Sequence, residues 1–198
     1  MIVTKIKKSK KGNILIYADN EYYSSVPLEV FIKSRLKIGD AIDEDILEEL
    51  QKETELNKAK EKALRLLSLR AHSKKELRDK INNSSNEDVA REIADKMEDL
   101  GLVNDRNFAD AYAKELFTKK MYSSSRIRYE LSKKGISDDI IDDVMESVEF
   151  NDRDNIEKIF GKKRFDKGDE KQYRRVVAYC QRMGYSWNDI KSVINSYN

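Results

Sequence analysis

Proline occurs once in the 198 residues, cysteine once, histidine once and glycine seven times. Few residues are therefore available for special turns, which leaves short loops and argues for helix. A single cysteine makes no internal disulfide and suits a reducing compartment. Zinc sites draw mainly on His and Cys, and His72 and Cys180 cannot fill one by themselves. Any nucleophile–histidine arrangement would have to be built around His72. The sequence has neither GxxxxGK[ST] nor GxGxxG, so no phosphate-cradling loop is visible and ATPase or dehydrogenase chemistry is excluded. The longest apolar runs, Ile14–Ala18 and Val176–Cys180, have five residues each. Neither approaches the ~18 that a membrane span requires. Met1–Lys8 has no signal-peptide core, and a cytoplasmic location is expected. These absences favour binding over catalysis; no catalytic residue, metal or cofactor is expected.

Charge, by contrast, is plentiful and balanced. Charged residues make up 38% of the chain, yet the net charge is only +2, and the hydrophobic share is 39%. That pattern fits helices with charged outer faces over several small cores.

The first stretch differs from the rest. Residues 2–7 and 13–17 are β-rich runs separated by Lys8–Gly12, which reads as a hairpin. Tyr22–Val26 is a third strand. Pro27 then suits the start of a short helix through Leu36, and Asp43 can cap another from Glu44 to about Glu55. From Lys58 onward the periodicity is helical and it repeats. At an offset of 49, Ile127, Leu131, Gly135, Ser137, Ile141 and Val144 fall on Val176, Cys180, Gly184, Ser186, Ile190 and Val193. At an offset of 50, Ser73, Leu77, Arg78 and Ile81 fall on Ser123, Ile127, Arg128 and Leu131. The spacing predicts three tandem three-helix repeats, 58–104, 105–150 and 151–198, in an elongated curved array. Residues 1–57 form an N-terminal β extension with short helices. The fold class is thus mainly α. Ser73 and Glu76 read as a capping box; Asn104 and Asp105 mark the first helix of the second repeat.

Segment charges are −2 for 1–57, +2 for 58–104, −2 for 105–150 and +4 for 151–198. Within each repeat the middle helix is basic: Lys74, Lys75, Arg78 and Lys80; Arg126, Arg128, Lys133 and Lys134; Arg174, Arg175 and Arg182. Regular stacking would align these into an interrupted basic stripe suited to phosphates or an acidic partner. Arg126 and Arg128 flank the inward position Ile127, so both are expected to reach solvent or a partner. Tyr129 is the best exposed candidate for stacking on a base. Asp138, Asp139, Asp142 and Asp143 read as a solvated acidic face near a helix start, although their spacing would also allow Mg²⁺ chelation. His72 and Cys180 read as structural.

Three strings, in order and spacing, resemble the RecX family of regulatory proteins: ALRLLSLRAHSKKEL at 63–77, GLVND at 101–105 followed by Phe108 and Ala109, and RIRYELSKKGI at 126–136. The β segment is similar to the extension of longer members. The resemblance implies a non-catalytic regulator in DNA repair, recombination and the SOS response. It implies binding to the RecA recombinase and its filament on single-stranded DNA, inhibition of recombination and ATP hydrolysis, and a monomeric state. Contact with single-stranded DNA is expected mainly through the filament, with weak direct binding a further option. A helix-turn-helix-like DNA-binding protein is the alternative, and a metal-dependent nuclease using the aspartates a distant third.

Overall fold

A computed structural model describes residues 1–197. The chain begins with three strands, β1 (Val3–Lys8), β2 (Ile14–Ala18) and β3 (Glu21–Val26). They form an antiparallel sheet in the order β1-β2-β3. Ten α-helices follow among the described residues: α1 (Leu28–Ser34), α2 (Glu44–Leu69), α3 (Lys74–Asn82), α4 (Glu87–Asp99), α5 (Asp105–Glu115), α6 (Ser124–Lys133), α7 (Asp138–Ser147), α8 (Asp152–Lys163), α9 (Glu170–Arg182) and α10 (Trp187–Ser196). A π-helical turn, Leu116–Lys120, extends α5. The fold is mainly α with a small N-terminal sheet. None of the described helices is long and apolar enough to cross a membrane.

The chain divides into two compact units. One comprises 1–70 and 77–102; the other comprises 71–76 and the chain from Val103 onward. In the first unit, alternation along the strands turns Val3, Ile14, Ile16 and Val26 inward, where they meet Val30, Leu36, Ile42 and Leu50. Asp43 caps α2 by accepting from the Ile46 N–H at 3.0 Å. The expected end of this helix near Glu55 is not observed: α2 runs unbroken for 26 residues to Leu69. The reason is physical. No glycine or proline occurs between Gly39 and Gly101, and the buried positions Leu50, Thr54 and Asn57 keep helical spacing towards Ala59 and Ala63. Helix α4 packs along α2 through a stripe of Val89, Ala90, Ile93, Ala94 and Met97, and Leu77 and Ile81 of α3 are fully buried.

The second unit holds two cores. Phe108, Ala113 and Leu116 pack with Ile127, Leu131, Ile136, Ile141 and Val144 around α5–α7. Met121, Ile156, Ile159, Phe160 and Phe165 pack with Val176, Cys180, Tyr185, Ile190 and Val193 around α8–α10. Phe160 and Phe165 stack with centroids 4.2 Å apart, and the Tyr185 hydroxyl donates to the Met121 carbonyl at 3.0 Å. Burial pushes the Tyr185 hydroxyl pKa well up, so the phenol remains a neutral donor. The caps fall where the repeat places them. Asn104, Ser123 and Ser186 accept from the N–H groups of Asn107, Arg126 and Asp189. Ser137 occupies the same position in α7 without a side-chain hydrogen bond.

Candidate binding face along the middle helices

The middle helices of the second unit meet end to end. At the first joint, the C-terminus of α6 abuts the first turn of α3. The Ser73 hydroxyl donates to the Lys134 carbonyl at 2.7 Å and accepts from the Glu76 N–H at 3.1 Å. The Lys74 N–H donates to Asp105 at 2.8 Å. The Lys134 ammonium pairs with Glu76 at 2.9 Å, and the Lys75 ammonium donates to the Lys133 carbonyl at 3.3 Å. At the second joint, the C-terminus of α9 abuts the start of α6. The Ser123 N–H donates to the Met183 carbonyl at 3.0 Å, the Arg126 guanidinium donates to the Arg182 carbonyl, and the Ser125 hydroxyl donates to the Gly184 carbonyl at 3.3 Å. The Ser124 N–H and hydroxyl both donate to Asp152, the N–H at 3.0 Å and the hydroxyl at 2.8 Å.

Each joint satisfies carbonyls that a helix end leaves open and sets the negative end of one helix against the positive end of the next. A glycine makes the approach possible. Gly135 and Gly184 have φ of +78° and +97°. A Cβ on Gly135 would lie 2.6 Å from the Lys75 Cβ, and one on Gly184 would lie 2.6 Å from both the Arg126 Cβ and the Ser123 Oγ.

This geometry sorts the candidate cations. Arg128, Lys133, Arg174, Arg175 and Arg182 are exposed. Arg128 reaches Asp142 of α7 at 2.5 Å, and Arg174 reaches Glu170, with both side chains more than three-quarters exposed. Exposed pairs of that kind hold a cation weakly and leave it available to a partner. Tyr129 is 60% exposed, with the Lys133 ammonium 5.3 Å from its ring centre. Tyr179 carries Lys163 at 4.5 Å and Arg182 at 5.8 Å in the same manner. These rings keep the cations close to the helix surface.

Other candidates serve the joints. Arg126 does not reach outward as its spacing beside Ile127 implied. It is half-buried, lies 4.5 Å over the Tyr122 ring, and pairs with Glu130 at 3.4 Å. The stem of Lys75 fills the space above Gly135. Lys134 is half-buried on Glu76 and lies 5.8 Å over Tyr112. Lys74 is half-buried, its backbone tied to Asp105. Arg78 belongs to the first unit, where it faces Glu87 at 3.5 Å and Asp79 at 3.8 Å.

Among the acidic residues of α7, Asp142 and Asp143 serve as partners for Arg128 and Arg106. His72 is buried beside Ser73 at the first joint, and Cys180 is fully buried, its thiol pushed up to about 11 by desolvation. Asp105 and Asp152 are joint residues whose role sequence reasoning missed. Each directly follows an N-cap asparagine, Asn104 or Asn151, and that recurring Asn–Asp pair was the available signal.

The family model described as RecX, first three-helix domain, matches residues 59–83, and that of the second three-helix domain matches 104–145. The chain is 31% identical to the regulatory protein RecX of Clostridium acetobutylicum over 97% of its own length and 94% of that protein. It is also 31% identical to the regulatory protein RecX of Bacillus velezensis, covering 97% of this chain and 76% of that one. A crystal structure of regulatory protein RecX shares the fold with a TM-score of 0.69 at 22% identity, covering 98% of both chains. RecX from Lactobacillus salivarius aligns with a TM-score of 0.56 at 26% identity, over 72% of this chain and 96% of that one. With a curated relative this similar along nearly its whole length, the chain belongs to the RecX family of regulatory proteins.

Proposed function

We propose that this protein regulates the RecA recombinase by binding the filament that RecA forms on single-stranded DNA. It restrains recombination and ATP hydrolysis and catalyses no reaction itself. It acts as a monomer in the cytoplasm, and the repeats 58–104, 105–150 and 151–198 are its working units. The observation carrying this reading is the end-to-end placement of α9, α6 and the first turn of α3, which sets exposed cations along successive helices. A partner that is itself a repeating polymer, with phosphates and acidic side chains at regular intervals, suits such a row.

Within that row Arg128, Lys133, Arg174 and Arg175 make the partner contacts, with Tyr129 and Arg182 beside them. Arg126, Lys75 and Lys134 act indirectly, by holding the helices in line. Neutralising the first four to serine together therefore tests the surface without loosening a joint. Suppression of RecA-driven ATP hydrolysis should then require at least tenfold more protein. The salt dependence of filament binding should flatten, because fewer charges remain to be compensated. The unfolding midpoint should move little, since exposed substitutions shift stability by about 0.5 kcal/mol or less each. Undiminished suppression across a salt titration would reduce the row to a solvated face.

A further inference from the structure

We infer that the outer face of the N-terminal sheet is a separate binding surface for single-stranded nucleic acid, in which lysines hold the phosphates and tyrosines stack the bases.

Residues 1–57 carry a net −2, but the sum conceals a segregation. Lys5, Lys7, Lys8, Lys10 and Lys11 are five cations with no acidic residue before Asp19, whereas Glu and Asp crowd α2 and the turn before it. All five lysines are exposed. Elsewhere in this unit Lys33 pairs with Glu53 and Lys60 with Glu29. Among the described residues none of the five lysines makes an ion pair. The nearest acid along the chain, Asp19, lies at the opposite end of the sheet from the Lys8–Gly12 turn and accepts the Ile2 N–H at 3.0 Å. Contact with and repulsion from the Lys7 ammonium hold the Lys5 amine below its ordinary pKa. Like charges are thus concentrated here without compensation, which favours an anion of several charges over a single counterion.

The register places Lys5, Tyr17 and Tyr22 side by side across the three strands, with Lys7, Leu15 and Ser25 in the neighbouring row. Alternate residues Val3, Ile16 and Val26 point into the core, so these two rows face outward. Tyr22 is 59% exposed and meets Tyr17 edge to face at 6.0 Å. The Lys5 ammonium lies 5.7 Å from the Tyr17 ring centre. An exposed ring beside cations on a sheet is the arrangement on which unpaired bases stack while the backbone runs past lysines. An acidic protein surface would use the lysines but has no need of the rings, and a duplex offers no free base to stack.

The test is fluorescence anisotropy of a labelled oligothymidylate with the full chain and no RecA present, so its outcome is independent of the filament reading. Replacing Lys5, Lys7, Lys10 and Lys11 by serine should weaken binding at least tenfold at low salt. The slope of log affinity against log salt should fall by about 0.7 for each lysine removed. Tyr22→Ala should cost about fivefold or more and leave that slope unchanged, whereas Tyr22→Phe should bind as wild type. A thermal unfolding curve checks each variant. Should the fourfold variant prove unfolded, Lys7→Ser and Lys10→Ser singly must each lower the slope. Binding indifferent to the lysines would overturn the inference. So would polyglutamate competing as well as oligothymidylate with no dependence on Tyr22, which would assign the face to an acidic protein.

Discussion

The two joints of the second unit solve one problem with different chemistry. At the α6–α3 joint a serine hydroxyl bonds a helix-terminal carbonyl, and an ion pair, Lys134 with Glu76, braces it. At the α9–α6 joint the serine uses its backbone N–H instead, and the bracing cation, Arg126, pairs with Glu130 of its own helix. Common to both are a serine cap, a glycine of positive φ after the abutting helix, an aspartate from the next repeat bonding the start of the middle helix, and a basic side chain, Lys75 or Arg126, on the carbonyl of Lys133 or Arg182. The difference teaches that divergence acted on the braces while the backbone approach stayed fixed. Backbone proximity admits few residue types, whereas charge can be supplied from several positions.

The largest effect should come from breaking that approach. In Gly184→Ala the new methyl meets Ser123, which is 1% exposed, and the stem of Arg126. Left-handed backbone strain and overpacking together should cost about 2–4 kcal/mol, read as a shift in urea midpoint. Gly135→Ala should cost a comparable amount, about 2–4 kcal/mol, because its nearest obstruction, the Lys75 Cβ at 2.6 Å, is fixed to the backbone of α3 and only the outer atoms of that side chain can swing away. Gly101 has φ of +69° with nothing near its Cβ position, so Gly101→Ala should show the strain alone, about 1 kcal/mol. Equal losses at all three positions would mean that the joints contribute nothing beyond backbone conformation.

Next in size is the aspartate. Removing the Asp152 carboxylate leaves the Ser124 N–H without its acceptor, and Asp152→Ala should cost about 1–2 kcal/mol. Its titration adds a sharper reading. Burial raises the Asp152 pKa above the ordinary carboxylate value, the Ser124 hydrogen bonds oppose that rise, and the charge of Asp189 adds to it. A raised folded-state value favours the protonated form on folding. That contribution is present below the ordinary value of about 4 and is lost as pH rises through the raised value. Wild type should therefore lose stability relative to Asp152→Asn as pH rises through this window. A difference that does not vary with pH would place the carboxylate in water.

Much of this was legible in the chain because the repeat offsets of 49 and 50 align caps, apolar positions and glycines together. Gly135 and Gly184 fall at one place in the repeat, and a glycine there fits a helix end. Their second purpose, admitting the neighbouring repeat, was not legible because no local pattern records what approaches from elsewhere. Arg126 illustrates the same limit. Its position beside Ile127 turns it away from its own core, yet the end of α9 covers it. Asp105 and Asp152 were hidden by adjacency, since each follows an asparagine whose side chain caps the helix start. The lysines of β1 were hidden by summation, because the acids of α2 cancelled them within one segment total.

The smallest effect concerns the cores behind the joints. Leu131 and Cys180 occupy equivalent places in α6 and α9, and both are fully buried. The cysteine is smaller, and its cluster also holds the rings of Phe160, Phe165 and Tyr185. Trimming it should matter little: Cys180→Ala should cost about 1 kcal/mol, near the lower end for a buried truncation. The thiol gives a finer probe than the substitution. Desolvation lifts its pKa to about 11, so at pH 8 almost no thiolate forms and the sulfur is enclosed besides. Iodoacetamide should leave native protein unlabelled and react in proportion to the unfolded fraction along a urea titration. Because Cys180 lies on the buried side of α9, whose C-terminal end forms the α9–α6 joint, Gly184→Ala should bring labelling to lower urea than Gly135→Ala does. Labelling of the native wild type at a rate matching a free thiol would show that the third core opens without unfolding, and would separate the two repeats by dynamics as well as by the chemistry of their joints.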